Sequence, residues 1–411
     1  MTDHVELGEV ETEDLLDGLE AFLVKEVGGR HEAFRDLLEN PRRVYGEDGR
    51  YSAEVRSLQK EIRVASADAG YYTLFVPEAL GGAGLGARSW FLVWEKLFRW
   101  CSVESWLGWQ SVAHWATGPS RVLAECAPEV RAEVLPELMS GQKSMCFAMS
   151  EPDAGTDVWM MRTTAVPDGD GWRLSGVKQW ITNGPCADYA LVFAVTNKEL
   201  AAQRRGGISA FLIPTDSPGF ELASVIRIFG HIGGNEAVFH LSDVPVSRRN
   251  LVGQLDNGFV IGQLGIGLGK LYNAAKAVSW GHWALAKAQE HVRDRRTFGR
   301  PLAEHQGVMF PLAESAAELM AARLMALHCA DLYDRGLPSA NEMAMTKMLA
   351  TEAGFRTLDR VIQSFGGTGF TNELHLTDAL LYLRSIRISD GSAEMMRRQI
   401  AKAIAKGQIV F

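Results

Sequence analysis

Tyr189-Ala190-Leu191-Val192-Phe193-Ala194-Val195 and Ile208-Ser209-Ala210-Phe211-Leu212-Ile213 decide how this chain is built. Both are short apolar runs bounded by Asp, Gly and Pro. Runs of that length and composition predict strands rather than helices. The same rhythm holds from Ser144 to about Asp256, so this zone is expected to form an antiparallel sheet or small barrel. Asp168-Gly169-Asp170-Gly171 predicts a hairpin turn inside it.

On either side the period changes. From about Leu15 to Gln142 apolar residues recur at helical spacing, interrupted by Gly81-Gly82-Ala83-Gly84-Leu85-Gly86. Past Gly258 the helical pattern returns and persists. Ala274, Ala275, Ala277, Ala284, Ala286 and Ala288 fall in a long helix expected to end near Gly299-Arg300-Pro301. Ser339 and Glu342 read as the capping box of a later helix, which should stop at Gly366-Gly367. Long helices joined by short turns predict an antiparallel bundle. The expected class is therefore α+β: an N-terminal helical domain over residues 1–142, a middle β domain over 143–256 and a C-terminal helical bundle over 257–411.

Composition narrows the function. Nearly half of the 411 residues are hydrophobic and fewer than a quarter are charged, as in an ordinary globular protein. A net charge of −8 with no long basic run argues against nucleic-acid binding. Cys101, Cys126, Cys146, Cys186 and Cys329 lack metal-like spacing, so reduced, mostly buried thiols and no metal site are expected. The acidic start, Met1-Thr2-Asp3-His4-Val5-Glu6, is unlike a secretory leader or an Arg-rich transit peptide. No apolar run approaches the ~18 residues that span a bilayer, and a cytoplasmic protein without a membrane partner is expected. Six tryptophans crowd between Trp90 and Trp115. They predict either aromatic packing between helices or the wall of an apolar pocket.

Four segments carry polar chemistry, each with a bland alternative. Phe147-Ala148-Met149-Ser150-Glu151-Pro152-Asp153-Ala154-Gly155-Thr156-Asp157 is turn-rich, and its hydroxyls and N–H groups suit a polar ring edge or a phosphate. Gly176-Val177-Lys178-Gln179-Trp180-Ile181-Thr182-Asn183-Gly184 offers an aromatic face and a hydroxyl, or is plain strand. Arg295-Arg296-Thr297-Phe298-Gly299 with Gln306 suits a pyrophosphate, or merely closes a helix. Gln363-Ser364-Phe365-Gly366-Gly367-Thr368-Gly369-Phe370 lets backbone approach a ligand, or is a C-cap. To these is added Asp390-Gly391-Ser392-Ala393-Glu394, which by itself reads as the cap of a last helix.

In this order and spacing the five segments resemble the acyl-CoA dehydrogenase flavoenzymes over roughly residues 15–407. The resemblance implies a β-barrel-like middle domain, a four-helix C-terminal domain and FAD held between subunits of a homotetramer. Phe147, Met149, Ser150, Gly155 and Thr156 match the stretch lining the flavin and ribityl chain. Trp180 and Thr182 match residues over and beside the isoalloxazine. Arg295, Phe298 and Gln306 match the set reaching a neighbouring subunit's FAD. Gln363, Gly366 and Gly367 match its adenosine and pyrophosphate contacts, and Ser392 and Glu394 match positions near the diphosphate and adenine. Asp390 matches the catalytic base, which removes the α proton of an acyl thioester while the β hydrogen leaves to the flavin as hydride. An acyl-CoA or acyl-carrier-protein substrate and an electron-transferring flavoprotein partner are implied with it.

The chain departs from the family pattern in informative places. The base is usually Glu; Asp shortens the arm by about 1.5 Å, one C–C bond. Some branches carry the base on the long helix before an Arg, but here those positions are Gly269 and Lys270. An Arg-Asp pair usual upstream of the base is replaced by Leu381 and Tyr382, and Ile232 and Glu236 replace polar residues before the last barrel strand. An Asp base also resembles nitroalkane oxidase, a flavin oxidase. A weakly catalytic partner subunit of a hetero-oligomer is a further alternative.

Overall fold

The structure, a computed structural model, describes residues 4–228 and 234–409. Met1, Thr2, Asp3 and Ile232 lie outside the described residues. Helices α1 (Glu9–Phe22), α2 (Ala53–Asp68), α3 (Ala87–Cys101) and α4 (Pro128–Met139) come first. Strands β1 (Met145–Ala148), β2 (Thr164–Asp168), β3 (Gly171–Thr182), β4 (Tyr189–Val195) and β5 (Ile208–Pro214) follow. Then come β6 (Phe220–Ile226), β7 (Glu236–Val246) and β8 (Leu251–Val252). Helix α5 (Gly258–Asp294) leads into a small hairpin, β9 (Arg296–Thr297) and β10 (Arg300–Pro301). Helices α6 (Gln306–Asp334), α7 (Ala340–Phe365), α8 (Leu376–Ile386) and α9 (Ala393–Ala405) complete the order.

The chain divides into two compact units. One, Lys25–Gly84 with Gln110–Gly267, holds the sheet. Its strand order is β6-β7-β3-β2-β4-β5-β8, with β1 beside β4. Pairing is mostly antiparallel, as expected, but β4 meets β1 and β2 in parallel. The expected hairpin turn closes β2 onto β3 at Asp168 and Gly171. Because successive strand residues face opposite ways, β4 feeds two separate cores. Leu191, Phe193 and Val195 pack with Val130, Val134 and Leu138 of α4. Ala190, Val192 and Ala194 pack with Leu174, Phe239 and Leu241 of β3 and β7. A strand covered on both faces reads as an unbroken apolar run, which is how the quoted stretch reads.

The other unit, Met1–Val24 with Leu85–Trp109 and Leu268–Phe411, is helical. Here α7 packs against α6, α8 and α9, and α3 against α1 and α6. Trp94 and Phe98 of α3 are fully buried and stack at 5.3 Å. Helix α7 ends at Phe365 with Gly366 at φ 60°, the left-handed stop expected there. Two local expectations fail. Helix α5 stops at Asp294, because the β9–β10 hairpin takes over the residues before Pro301. Ser339 precedes α7, but its side chain makes no capping hydrogen bond.

Candidate functional site

In the sheet unit the site is built where β1 and β3 end. Phe147 packs edge-on to Trp115 (5.0 Å) and against Phe193 (4.8 Å), and Met149 is buried beside them. Ser150 follows, and its carbonyl accepts the N–H of Gln179 at 2.9 Å, tying the segment to β3. Beneath that tie lies an ion pair that sequence reasoning missed. Lys178 Nζ lies 2.7 Å from Glu151 Oε1, both side chains buried, and also donates to the Met149 carbonyl at 3.1 Å. Burial would raise the Glu151 carboxyl. The Lys178 ammonium and the N–H groups of Arg162 and Thr163 outweigh it and hold the group below its ordinary value. A lysine inside a strand, on the side that alternation buries, was the available signal.

Beyond Lys178 the strand bulges. Gln179 pairs with Val238 but Ile181 pairs with Ala237, so Trp180 is an extra residue in β3. It sits at φ 63°, a left-handed conformation that costs a non-glycine residue roughly 1–2 kcal/mol. The bulge keeps Lys178 and Ile181 inward and turns Trp180 out, 55% exposed, with Thr182 exposed two residues on. Gly155 and Thr156 lie exposed in the turn after Ser150.

In the helical unit the expected residues form two groups. At the C-terminal end of α5, His291 stacks on Phe365 of α7 with ring centroids 4.1 Å apart. That contact gathers the Arg295 hairpin beside the Gly366-Gly367 cap. Arg295, Gln306, Gln363, Gly366 and Gly367 are all exposed, and Phe298, at the hairpin tip, is 94% exposed. The second group lies at the start of α9. Ser392 caps that helix, its Oγ accepting the N–H of Met395 at 3.4 Å, and Glu394 is exposed in the first turn. Helix α7 separates the groups: Lys347, beside Asp390, and Gln363 are about 24 Å apart along its axis. The two groups are not brought together within one chain.

Asp390 sits in a tight turn held by two neighbouring helices. Its backbone is left-handed at φ 51° and Gly391 follows at φ 90°. Lys347, buried, reaches across from α7 and donates to the carbonyls of Ser389 and Gly391 (2.6 Å to the latter). The amide of Asn273, on α5, donates to Asp390 Oδ2 at 2.8 Å. The backbone supplies a reason for the short side chain, since Asp adopts left-handed φ more readily than most residues. The Asp390 N–H makes no hydrogen bond among the described residues.

Around the carboxylate stand three lysines. Lys270 and Lys276 lie one helical turn to either side of Asn273, on the same face of α5. Burial pulls Lys270 below its ordinary value, Lys276 down to about 7 and Lys347 down to about 8, while Asp390 pulls all three the other way. Lys276 sits in a box of rings: its Nζ is 4.7 Å from the centroid of Phe98, 5.0 Å from Trp109, 4.8 Å from Tyr272, 5.5 Å from Trp280 and 4.2 Å from Tyr382. Trp109 thus belongs to this box, whereas Trp90 and Trp94 are core. Asn273, Lys276 and Lys347 were not foreseen. The signal was polar residues at helical spacing inside an alanine-rich, buried stretch.

Three family models cover nearly the whole chain: the acyl-CoA dehydrogenase N-terminal domain over residues 13–142, the middle domain over 146–244 and the C-terminal domain over 256–405. The chain belongs to the acyl-CoA dehydrogenase family. It is 35% identical to the mitochondrial short-chain specific acyl-CoA dehydrogenase of Sus scrofa, over 82% of this chain and 80% of that protein. It is 31% identical to the cyclohexane-1-carbonyl-CoA dehydrogenase of Geobacter metallireducens, over 82% and 87% respectively. The solved butyryl-CoA dehydrogenase of Megasphaera elsdenii superposes with a TM-score of 0.81 at 25% identity, covering 98% of this chain and 99% of that one.

This family member is an FAD-dependent oxidoreductase for acyl-CoA dehydrogenation. The sheet unit fits the cofactor on its own evidence. The hydroxyls of Ser150, Thr156 and Thr182 make no hydrogen bond among the described residues, and they accompany the exposed Trp180 ring. Free donors beside an exposed aromatic face suit a planar ring with polar edges. Among the described residues no group of His, Cys, Asp and Glu is arranged for a metal, and no helix is long and apolar enough to cross a membrane.

Proposed function

We propose that this protein converts an acyl thioester to its 2-enoyl thioester with Asp390 as the general base. The observation that carries the proposal is the posture of Asp390: its carboxylate fixed by Asn273 at 2.8 Å, and its turn pinned by Lys347 through the neighbouring carbonyls. A base must be placed before it can be tuned, with heavy atoms roughly 2.6–3.2 Å apart at transfer. Asn273 and Lys347 set that placement. The unengaged Asp390 N–H is a donor for the thioester carbonyl, where negative charge develops as the α proton leaves. FAD, when bound, takes the β hydrogen as hydride. Phe147, Met149, Ser150, Gly155, Thr156, Trp180 and Thr182 would hold it from the sheet unit.

Arg295, Phe298, Gln306, Gln363, Gly366 and Gly367 would serve the FAD of a neighbouring subunit, with Ser392 and Glu394 near a diphosphate and adenine. The span of α7 between the groups and the bare Phe298 ring support this reading of a site shared between subunits, and the family resemblance makes the assembly a homotetramer. An electron-transferring flavoprotein would take the electrons onward. The functional domains are residues 1–142, 143–256 and 257–411.

Asp390→Asn tests the base. Asn keeps the size and tolerates the left-handed backbone, so FAD stays bound while flavin reduction by acyl-CoA falls ~10²–10⁴-fold. Unchanged reduction would remove Asp390 from the mechanism.

A further inference from the structure

Lys178, Lys276 and Lys347 are each at most 1% exposed. Lys178 has a carboxylate partner and Lys347 has two carbonyls. Lys276 has neither: among the described residues its Nζ makes no hydrogen bond or ion pair, only contacts with ring faces. Ring faces attract a cation but supply no oxygen, and buried ammonium groups are ordinarily paired. The charges here are also unequal. Lys270, Lys276 and Lys347 all feel the one carboxylate of Asp390, so cations outnumber anions. Tyr272 and Tyr382 are the titratable members of the box, and burial pushes Tyr272 further above its ordinary value.

Resting on the reading of Asp390 as the base, we infer that the acyl group of the substrate ends in a carboxylate received by Lys276, so that the substrate class is the monothioester of a short dicarboxylic acid. The length follows from α5. The substrate Cα must approach the carboxylate that Asn273 holds, and Lys276 is one turn further along, about 5 Å. Three or four C–C bonds of about 1.5 Å span that distance. A diacid of five or six carbons puts its free carboxylate there. Phe98, Trp109, Tyr272, Trp280 and Tyr382 already surround the Lys276 Nζ, which leaves no room for a chain longer than one that ends at the amine. The proposed dehydrogenation would be unchanged: Asp390 would take the α proton, FAD when bound would supply the hydride acceptor, and the remote carboxylate would take no part in the redox step.

The test compares glutaryl-CoA with pentanoyl-CoA, equal in carbon number and different in charge. Binding is measured by calorimetry at pH 6.5 on FAD-loaded Asp390→Asn protein, where turnover is blocked. Glutaryl-CoA is expected to bind ~10- to 100-fold tighter, the range of one charge-assisted contact. Adding Lys276→Met abolishes the preference, and Lys276→Arg retains part of it. Equal or tighter binding of pentanoyl-CoA, or a preference that survives Lys276→Met with FAD still bound, overturns the inference. Anaerobic flavin bleaching with native Asp390 separates the two levels. Bleaching by pentanoyl-CoA with no preference for glutaryl-CoA sinks the carboxylate site alone. Preferential binding of glutaryl-CoA with bleaching by neither thioester sinks the dehydrogenase reading.

Discussion

Replacing Lys276 by Met should make the protein more stable, and the gain should depend on pH in a defined direction. Burial, opposed by Asp390, takes the Lys276 ammonium from 10.5 to about 7. Below pH 7 the folded state carries the full cost of a buried charge, and the separation of the two values corresponds to ~5 kcal/mol. The gain from Met, which fills similar space, is therefore up to about 5 kcal/mol at pH 6, in the same direction as other replacements of buried charges. The sign of the pH dependence follows from proton counts. Between about 7 and 10.5 the unfolded chain binds a proton that the folded chain does not, so wild-type stability rises with pH through that window. From pH 6 to pH 9 the wild type should recover about 3 kcal/mol relative to Lys276→Met. Thermal melting of the FAD-loaded proteins at both values reads this out. The variant should melt several degrees higher at pH 6, and the gap should narrow or reverse at pH 9. A gap that is absent at pH 6, or that widens on going to pH 9, would show that the amine has a partner, and the argument for an incoming carboxylate would go with it.

Other outcomes follow from the same geometry. Lys178→Met leaves the Glu151 carboxylate buried without its counter-ion and should cost ~3–5 kcal/mol; a melting temperature unchanged from wild type would refute the structural role of the pair. Trp180→Gly relieves a left-handed backbone but removes the exposed ring, so the protein should melt no lower while bound flavin becomes more fluorescent; unaltered flavin emission would mean the ring does not cover the cofactor. Arg295→Ala should release FAD on dilution through loss of a charge-assisted contact, and full retention would take Arg295 out of the site.

The layout of the fold was legible because its signals are local. The runs at Tyr189 and Ile208 became β4 and β5 with their starts unchanged, and the Asp168–Gly171 turn closes the hairpin expected of it. Gly366 ends α7 where a left-handed residue was needed. What failed was also local but underdetermined. Ser339 stands at the right place for a cap, yet a serine before a helix need not turn its hydroxyl inward. The parallel pairing of β4 with β1 depends on residues far apart in sequence, and no periodicity encodes it.

The site divides along the same line. Segments that present backbone or hydroxyls to a ligand, such as Ser150–Thr156 and Trp180–Thr182, could be named from sequence because the residue types suit the task. Partners that hold a reactive group could not, because they are chosen by tertiary proximity. Asn273 is 117 residues from the carboxylate it binds. Three of the departures, Lys270, Tyr382 and Asp390, lie at or around that carboxylate, whereas Glu236 belongs to β7 of the sheet unit. Lys270 replaces an Arg expected beside a base that is not there, and it now faces Asp390. Tyr382, standing where a charged pair was expected, forms one wall around Lys276. Asp390 itself occupies a left-handed turn that favours the shorter side chain. Lys270, Tyr382 and Asp390, far apart in sequence, thus meet in one region of the helical unit, where they alter its charge and size together. On the proposed reading they act together: a shorter base would stand one helical turn from a cation that aromatic rings enclose, a combination suited to a short, charged acyl group.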